Sequence, residues 1–371
     1  MTRVRFAACV AAVLACTTGK DALAHKPITS KYTFTEDVEP IVTARCGACH
    51  RPGGIGPMSL LTYDEARPWA ESMRAELTAA HMPPWFAEIG VSEIKDVHRL
   101  SPREIDVLLT WITGGTPRGP ADVPPVAPPA KVEWPAGKPD LVRPLPTDFT
   151  LPAASTEETR EFVVQPASDH DQFVTAVDLK PGNAAIVHDA MIYTAPAGST
   201  DPSAWTVLAA WVPGVSPAMA PAGTAFQWRA GESLVARIHY RKTWTYEGKA
   251  LTDRSSVGVY FAKGAPRRLI RAAAVASSEV VLDEETQVLA FRTLNGSSEA
   301  AGRVEAHLPD GTKASLIELR ARAGWDQRYW LARPRTLPPG SRVQLMPRRG
   351  DRESVEGKPW LWVELASRRR E

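Results

Sequence analysis

The sequence predicts a multidomain protein: a small all-α domain followed by two antiparallel β-sandwich (jelly-roll) domains. Three observations carry that reading. Apolar residues recur at helical spacing only up to about Pro120. A proline-saturated stretch follows, and beyond it short runs of β-branched and aromatic residues recur to the C-terminus, divided by turn residues. The 371 residues allow two or three domains. The boundaries are placed at 1–24 (a leader), 25–120 (the helical domain), 121–146 (a linker), 147–268 and 269–371 (the two β domains).

The leader has the form of a secretory signal peptide. Arg3 and Arg5 give it a charged start, Phe6 to Ala15 a short apolar run, and Ala22-Leu23-Ala24 a small-residue cleavage site before His25. That run is too short to span a membrane, and no later run is long and apolar enough to do so. Lipoprotein processing at Cys16, after Val13-Leu14-Ala15, is the second route, and periplasmic or secreted residence is expected. Cleavage after Ala24 removes Cys9 and Cys16, leaving Cys46 and Cys49 as the mature cysteines with none to spare for a disulfide. Losing Arg3, Arg5, Lys20 and Asp21 leaves 41 basic and 41 acidic residues. A neutral mature chain argues against nucleic acid or an anionic membrane as a partner, and Arg368-Arg369-Arg370 reads as a solvated tail.

In the helical domain, Thr35-Glu36-Asp37 can start a first helix, with Val38, Ile41 and Val42 at helical spacing behind it. Thr62 or Asp64 can cap a second, which carries Ala66, Trp69, Met73 and Leu77 on one face. Ser101-Pro102-Arg103-Glu104 is a capping box with proline at the first helical position. Ile105, Leu108, Leu109 and Ile112 form the stripe of this third helix, and Gly114-Gly115 ends it.

The first helix delivers the chain to Cys46-Gly47-Ala48-Cys49-His50, the C-x-x-C-H signature of covalent c-type haem attachment. Each cysteine can form a thioether to a vinyl group, and the adjacent histidine supplies the proximal iron ligand. A zinc site would need a second pair of nitrogen or sulfur ligands, and a thioredoxin-like pair a βαβ setting; neither is present around these residues. Three helices around haem c is the pattern of a small cytochrome c domain. The distal ligand is assigned to Met82, in the proline-stiffened His81-Met82-Pro83-Pro84-Trp85, with Met58 and His81 as competitors and an open sixth position as a further option. Methionine ligation raises the potential and suits electron transfer.

Val123-Pro124-Pro125-Val126-Ala127-Pro128-Pro129 marks the stiff linker. Strands are expected at Glu161 to Val164, Phe173 to Leu179, Ala185 to Tyr193, Leu234 to Tyr240 and Val257 to Phe261, with Pro181-Gly182-Asn183 as a turn. In Leu234–Arg241, Leu234, Ala236, Ile238 and Tyr240 face one way and Val235, Arg237, His239 and Arg241 the other. Later strands are expected at Arg303 to His307 and Ser315 to Leu319 around Leu308–Thr312, and through Val343 and Leu345 after Leu337–Ser341. Trp205, Trp211, Trp228 and Trp244 read as core, and His98, His170 and His307 as solvent-facing. No Gly-rich phosphate loop, nucleophile elbow or H-E-x-x-H occurs.

Two resemblances follow. Cys46–His50, Pro57–Tyr63 and Met82–Trp85 resemble the cytochrome c module of bacterial exported proteins. Lys180–Asn183 with Ile186-Val187-His188, Arg237–Tyr240 and Ser255–Phe261 resemble the copper type II, ascorbate-dependent monooxygenases, of which peptidylglycine α-hydroxylating monooxygenase is the fold type. That resemblance implies tandem jelly rolls and two coppers. One copper would be held by a His-His pair and a later histidine, where this chain has His188, Asp189 and His239. The other would need a His-x-His and a late methionine. Leu289–Gly296 contains no histidine, with Phe291 and Thr293 at the matching positions, and Leu361–Leu365 contains no methionine. At most one copper is expected, and His188, Asp189 and His239 can equally be relics satisfied by local hydrogen bonds. His25 as a new N-terminus offers a further amine–imidazole chelate. The expected function is electron transfer by an exported monohaem protein with a redox partner protein. The alternatives are a copper monooxygenase reduced through its own haem domain, and a binding module with the haem as redox sensor.

Overall fold

The computed structural model describes residues 29–369 except 89, 96–97, 128–132, 202–203, 276–278, 295–299, 323, 349–353 and 356–357; the side chains of 354, 355 and 358 are also left out. Residues 1–28, which include the expected leader with Cys9 and Cys16 and also His25, lie outside the described residues, as does Arg370 of the basic tail. The protein is mostly β, with a small helical part at its N-terminal end.

A π-helical turn, Phe34–Val38, runs straight into α1, Glu39–Arg45. The helix starts earlier than Thr35: Thr33 is the flanking residue, and its backbone N–H donates to Asp37 Oδ2 at 2.8 Å. Thr62 and Glu65 form a reciprocal capping box at the head of α2, Tyr63–Ala66, which continues through a 3₁₀ turn, Arg67–Trp69, into α3, Ala70–Thr78. The box expected at Ser101 and Glu104 opens α4, Pro102–Thr113. Its buried face is Val107, Leu108, Trp111 and Ile112, so the stripe is rotated toward Trp111 from the one that Ile105 and Leu109 suggested. The larger indole area wins the inward position, and its Nε1–H donates to Pro117 O at 3.0 Å. Gly114 caps α4 because the chain returns there: an added Cβ would lie 2.4 Å from Ser30 N. Phe34, Val38, Val42, Leu60, Leu108 and Trp111 share one core.

Among the described residues, ten strands precede the junction between the two expected β domains: β1 Leu141–Pro144, β2 Phe149–Leu151, β3 Glu157–Gln165, β4 Gln172–Lys180, β5 Val187–Pro196, β6 Thr206–Trp211, β7 Thr224–Trp228, β8 Glu232–Arg241, β9 Leu251–Asp253 and β10 Ser256–Phe261. Ten follow it: β11 Arg268–Ala274, β12 Val280–Val281, β13 Thr286–Thr293, β14 Ala300–His307, β15 Lys313–Ala321, β16 Arg328–Leu337, β17 Arg342–Pro347, β18 Ser354–Val355, β19 Lys358–Pro359 and β20 Leu361–Arg368. β1 occupies the end of the expected linker. Pro144 is tolerated there because β1 is an edge strand.

An eight-stranded sheet runs β1-β10-β4-β7-β11-β20-β13-β16, and its two halves meet where β7 and β11 pair in parallel. Four-stranded sheets β3-β8-β5-β6 and β12-β17-β14-β15 accompany the two halves. One core combines Val174, Val177 and Val259 with Ile192, Leu234, Ala236 and Ile238, so both sheets of the first β unit contribute to it. A second combines Phe291, Val363 and Leu365 with Val304, Ile317 and Val343. Leu234, Ala236, Ile238 and Tyr240 do face the core, as the alternation of β8 predicts. Trp228 is fully buried, whereas Trp244 is 59 % exposed and belongs to no core.

Candidate functional site

The C-x-x-C-H motif sits at the C-terminal end of α1, where Cys46 is the capping residue and its N–H donates to Val42 O. The chain then tightens: His50 N–H donates to Cys46 O at 2.8 Å and Gly56 N–H to Cys49 O at 2.9 Å. Neither thiol is in a disulfide. Burial pushes the Cys46 thiol up to about 12, with Cys49 and Glu104 adding to it, and burial pushes Cys49 up to about 11. Reactive redox pairs need the opposite environment, a depressed thiol at a helix N-terminus. Here the helix presents its C-terminus, whose partial negative charge disfavours a thiolate. Among the described residues, Cys46, Cys49 and His50 do not converge as a metal-ligating group. The motif therefore lacks the features of a dithiol switch and of a zinc site.

His50 is oriented from behind. Its Nδ1 lies 3.2 Å from Met58 O, and since a carbonyl only accepts, Nδ1 carries the proton and Nε2 is left with its lone pair. That arrangement leaves Nε2 as the ring nitrogen able to meet a metal, with its partner nitrogen anchored to backbone, a setting that ligating histidines share. Burial lowers the imidazole below its ordinary value, which keeps it neutral and able to coordinate. The loop is close-packed around the ring: a Cβ on Gly56 would stand 2.8 Å from His50 Nδ1. Met58 places its own backbone on the Nδ1 side, opposite the nitrogen that would meet iron.

Met82 follows α3, where His81 N–H donates to Glu76 O at 2.9 Å and His81 Nδ1 lies 3.2 Å from Glu76 Oε2. His81 is thus engaged with its own helix, while the Met82 side chain is 42 % exposed. A cleft of about 660 Å³ opens between Arg45, next to Cys46, and residues on either side of Gly90, with Trp85, Leu100 and Pro102 in its wall.

The first β unit touches the motif directly. A Cβ on Gly214 (φ +80°) would lie 2.6 Å from Ala48 Cβ, and Cys49 Sγ is 3.9 Å from Pro213 O. Thr245 Oγ1 donates to Pro57 O at 3.2 Å, and Trp69 and Trp244 rings are 6.3 Å apart. Sequence reasoning missed these contacts, because turn residues do not announce what they turn against.

His188, Asp189 and His239 are brought within 4.8 Å of one another. Neighbouring residues of a regular strand point to opposite faces, so His188 and Asp189 need a special device to converge. The device is a β-bulge: Val187 pairs with Tyr240 and Asp189 with His239, leaving His188 as the extra residue. His188 Nδ1 and His239 Nδ1 each lie 2.8 Å from Asp189 Oδ2, so one carboxylate oxygen accepts from both imidazoles. Burial raises the Asp189 carboxyl, but the two imidazole donors outweigh it and hold it below its usual range. The Asp189 hydrogen bond raises His239, with Glu157 assisting from 3.8 Å. Trp325, from the loop after β15, stands edge-on to His188 with ring centroids 5.4 Å apart. Two imidazoles and a carboxylate are donors suited to copper or iron. Their mutual hydrogen bonds engage Nδ1 of each histidine and Oδ2 of Asp189, an arrangement compatible with both the metal and the relic readings.

The stretch Leu289–Thr293 forms most of β13, with Phe291 fully buried in the second β core and Thr293 Oγ1 3.3 Å from Gln327 O. Residues 295–296 of the quoted run lie outside the described residues. Between Phe291 and Thr293, Arg292 meets Glu364 of β20 at 3.4 Å, and Arg328 Nη2 meets the same carboxylate at 2.7 Å. A buried ion network and apolar packing occupy this strand, and no metal-ligating group forms there among the described residues. His170 pairs with Asp169 and is exposed, and His307 lies 3.5 Å from Glu305. His98 is half-buried, with its ring 6.4 Å from Trp85, so it does not face solvent freely.

No protein-family profile and no curated protein matches the chain. Among solved structures, peptide:N-glycanase F (PNGase F) is similar at 8 % identity and a TM-score of 0.28, over 61 % of this chain and 94 % of that one. The PBSX exported protein XepA is similar at 10 % identity and a TM-score of 0.20, over 61 % and 86 %. The tandem CBM22-1–CBM22-2 domain of Xyn10C from Paenibacillus barcinonensis reaches a TM-score of 0.16 at 8 % identity, over 57 % and 82 %. Likenesses this slight carry no argument about fold or function.

Proposed function

We propose that the protein is an exported monohaem c-type electron-transfer protein whose β module resembles the copper type II monooxygenases and lacks their oxygen-activating copper. One observation carries the reading: at a C-x-x-C-H motif, His50 donates a hydrogen bond from Nδ1–H to Met58 O and keeps the Nε2 lone pair for a metal. Haem c, when bound, supplies a reversible one-electron couple. Cys46 and Cys49 tether it, His50 orients and ligates the iron, and Met82 is the distal ligand. Because Met58 O is on the Nδ1 side of the ring, Met58 is the weaker competitor. A redox partner protein is expected, in the periplasm or outside the cell. The two β units are read as tandem jelly-roll sandwiches, with Ile270, Leu289, Ala290, Trp330 and Ala366 of the second joining the core of the first.

The test is covalency. Cys46→Ala together with Cys49→Ala should leave no haem on the denatured polypeptide, seen as loss of haem staining on a denaturing gel. Haem still covalently attached to that double variant would sink the assignment.

The converging His188, Asp189 and His239 favour a second reading, a copper monooxygenase reduced through its own haem domain. The donor set fits one copper in kind. It does not fit two: Phe291 offers no donor atom, Thr293 offers a hard hydroxyl, and the adjoining space is held by Arg292 and Glu364. Electron transfer is therefore the favoured function, with copper limited to at most one ion at the His–Asp–His cluster.

A further inference from the structure

The segment that follows Met82 does not stay with the helices. Trp85 is buried in the core of the second β unit, with its ring edge-on to Tyr329 at 5.2 Å and 87°. Its Nε1–H donates to Ala87 O at 3.0 Å, and Phe86 N–H donates to Tyr329 Oη at 3.3 Å. Ala87 bridges to Leu319 of β15, and the flanking bonds are Arg320 N–H to Phe86 O and Glu88 N–H to Glu318 O, both 2.9 Å. Further along, Ile94 bridges to Leu331 of β16, with Lys95 N–H to Trp330 O and Ala332 N–H to Glu93 O, both 2.8 Å. The chain thus adds itself to two strands of the second β unit immediately after the haem domain's distal loop.

Between Trp85 and Met82 stand two prolines, whose rings remove most of the soft torsions of the intervening backbone. On the other side, His81 is held to α3 through Glu76 O. Met82 is suspended between a helix end and an aromatic plug, so the plug decides where the thioether can stand. We infer that Trp85, seated against Tyr329, is the positioning residue for the distal haem ligand, and that the second β unit thereby sets the ligation and potential of the haem. This rests on Met82 being that ligand. It assigns the β module a role independent of any copper.

The test uses full-length protein matured with haem, comparing wild type, Met82→Ala, Trp85→Ala, Trp85→Phe and Tyr329→Phe. Haem staining and far-ultraviolet circular dichroism establish attachment and fold. The readouts are the ferric iron–methionine charge-transfer band at the red end of the visible spectrum, the midpoint potential, and carbon monoxide binding to ferrous haem. Trp85→Ala should keep its haem yet lose the band, shift to lower potential and bind carbon monoxide faster, as Met82→Ala does. Trp85→Phe should restore the band, and Tyr329→Phe should weaken it. Should Trp85→Ala fail to fold, Tyr329→Phe with wild-type band and potential would overturn the inference. A folded Trp85→Ala with wild-type band and potential, beside a Met82→Ala that loses both, would overturn the positioning role alone. An unaffected Met82→Ala would overturn the ligand assignment and the inference with it.

Discussion

Removing the Glu364 charge should cost the β module heavily. It is fully buried in β20 and faces two guanidiniums, Arg292 (2 % exposed) and Arg328. Its Oε1 accepts from Arg328 Nε at 2.9 Å and from Arg292 Nε at 3.4 Å. Arg328 keeps other partners, donating through Nη1 to Leu208 O at 2.6 Å and through Nη2 to Val207 O at 3.0 Å, both on β6. Arg292 has weaker support elsewhere, the Trp362 ring 5.5 Å away and the charge of Asp326: burial drives its guanidinium below the ordinary value, and Glu364 is the main influence opposing that. Glu364→Gln therefore strands a buried cation, a loss of about 3–5 kcal/mol. Guanidinium denaturation followed by tryptophan fluorescence reads that loss directly. Adding Arg292→Met to Glu364→Gln should recover a substantial part of it, because an apolar chain of similar length leaves no charge to solvate. A Glu364→Gln cost below about 1 kcal/mol, or no recovery in the double variant, would refute the claim that charge burial dominates here. It would also reopen this strand as a place where polar ligands could sit.

Three further outcomes are expected. Met82→Ala should abolish the iron–methionine band of the oxidised protein and lower the potential, while Met58→Ala should leave both; the reverse result moves the ligand to Met58. Copper titration of the full chain should saturate at no more than one tight equivalent, lost in His188→Ala, with no oxygen-dependent hydroxylation above the free-copper background; two equivalents or turnover would restore the enzyme reading. Burial raises the Asp178 carboxyl from 3.8 to about 6. The native state then binds its proton more tightly than the unfolded chain, so stability falls as pH rises from about 4 to about 6 and stays reduced above. Asp178→Asn should stabilise by up to about 3 kcal/mol at neutral pH and by nothing below about pH 4, judged from denaturation midpoints at both.

The sequence by itself determined what depends on neighbours within a few residues. Cys46, Cys49 and His50 carry the spacing that thioethers and an axial imidazole need, and the proposal of haem attachment starts from that local pattern. The capping boxes at Thr62 and Ser101 and the alternation along β8 are equally local, and each stands where the pattern puts it. What the tertiary structure decided depends on register and on partners far along the chain. The carbonyl behind His50, the contact of Gly214 with Ala48, and the burial of Trp85 beside Tyr329 join segments that share no periodicity. His188 and Asp189 converge on His239 through a single inserted residue, and a one-residue change of register leaves no mark in composition. Arg292 offers the sharpest contrast. An arginine in an apolar strand reads as an interruption, and only the arrival of Glu364 from the last strand makes it a buried ion pair.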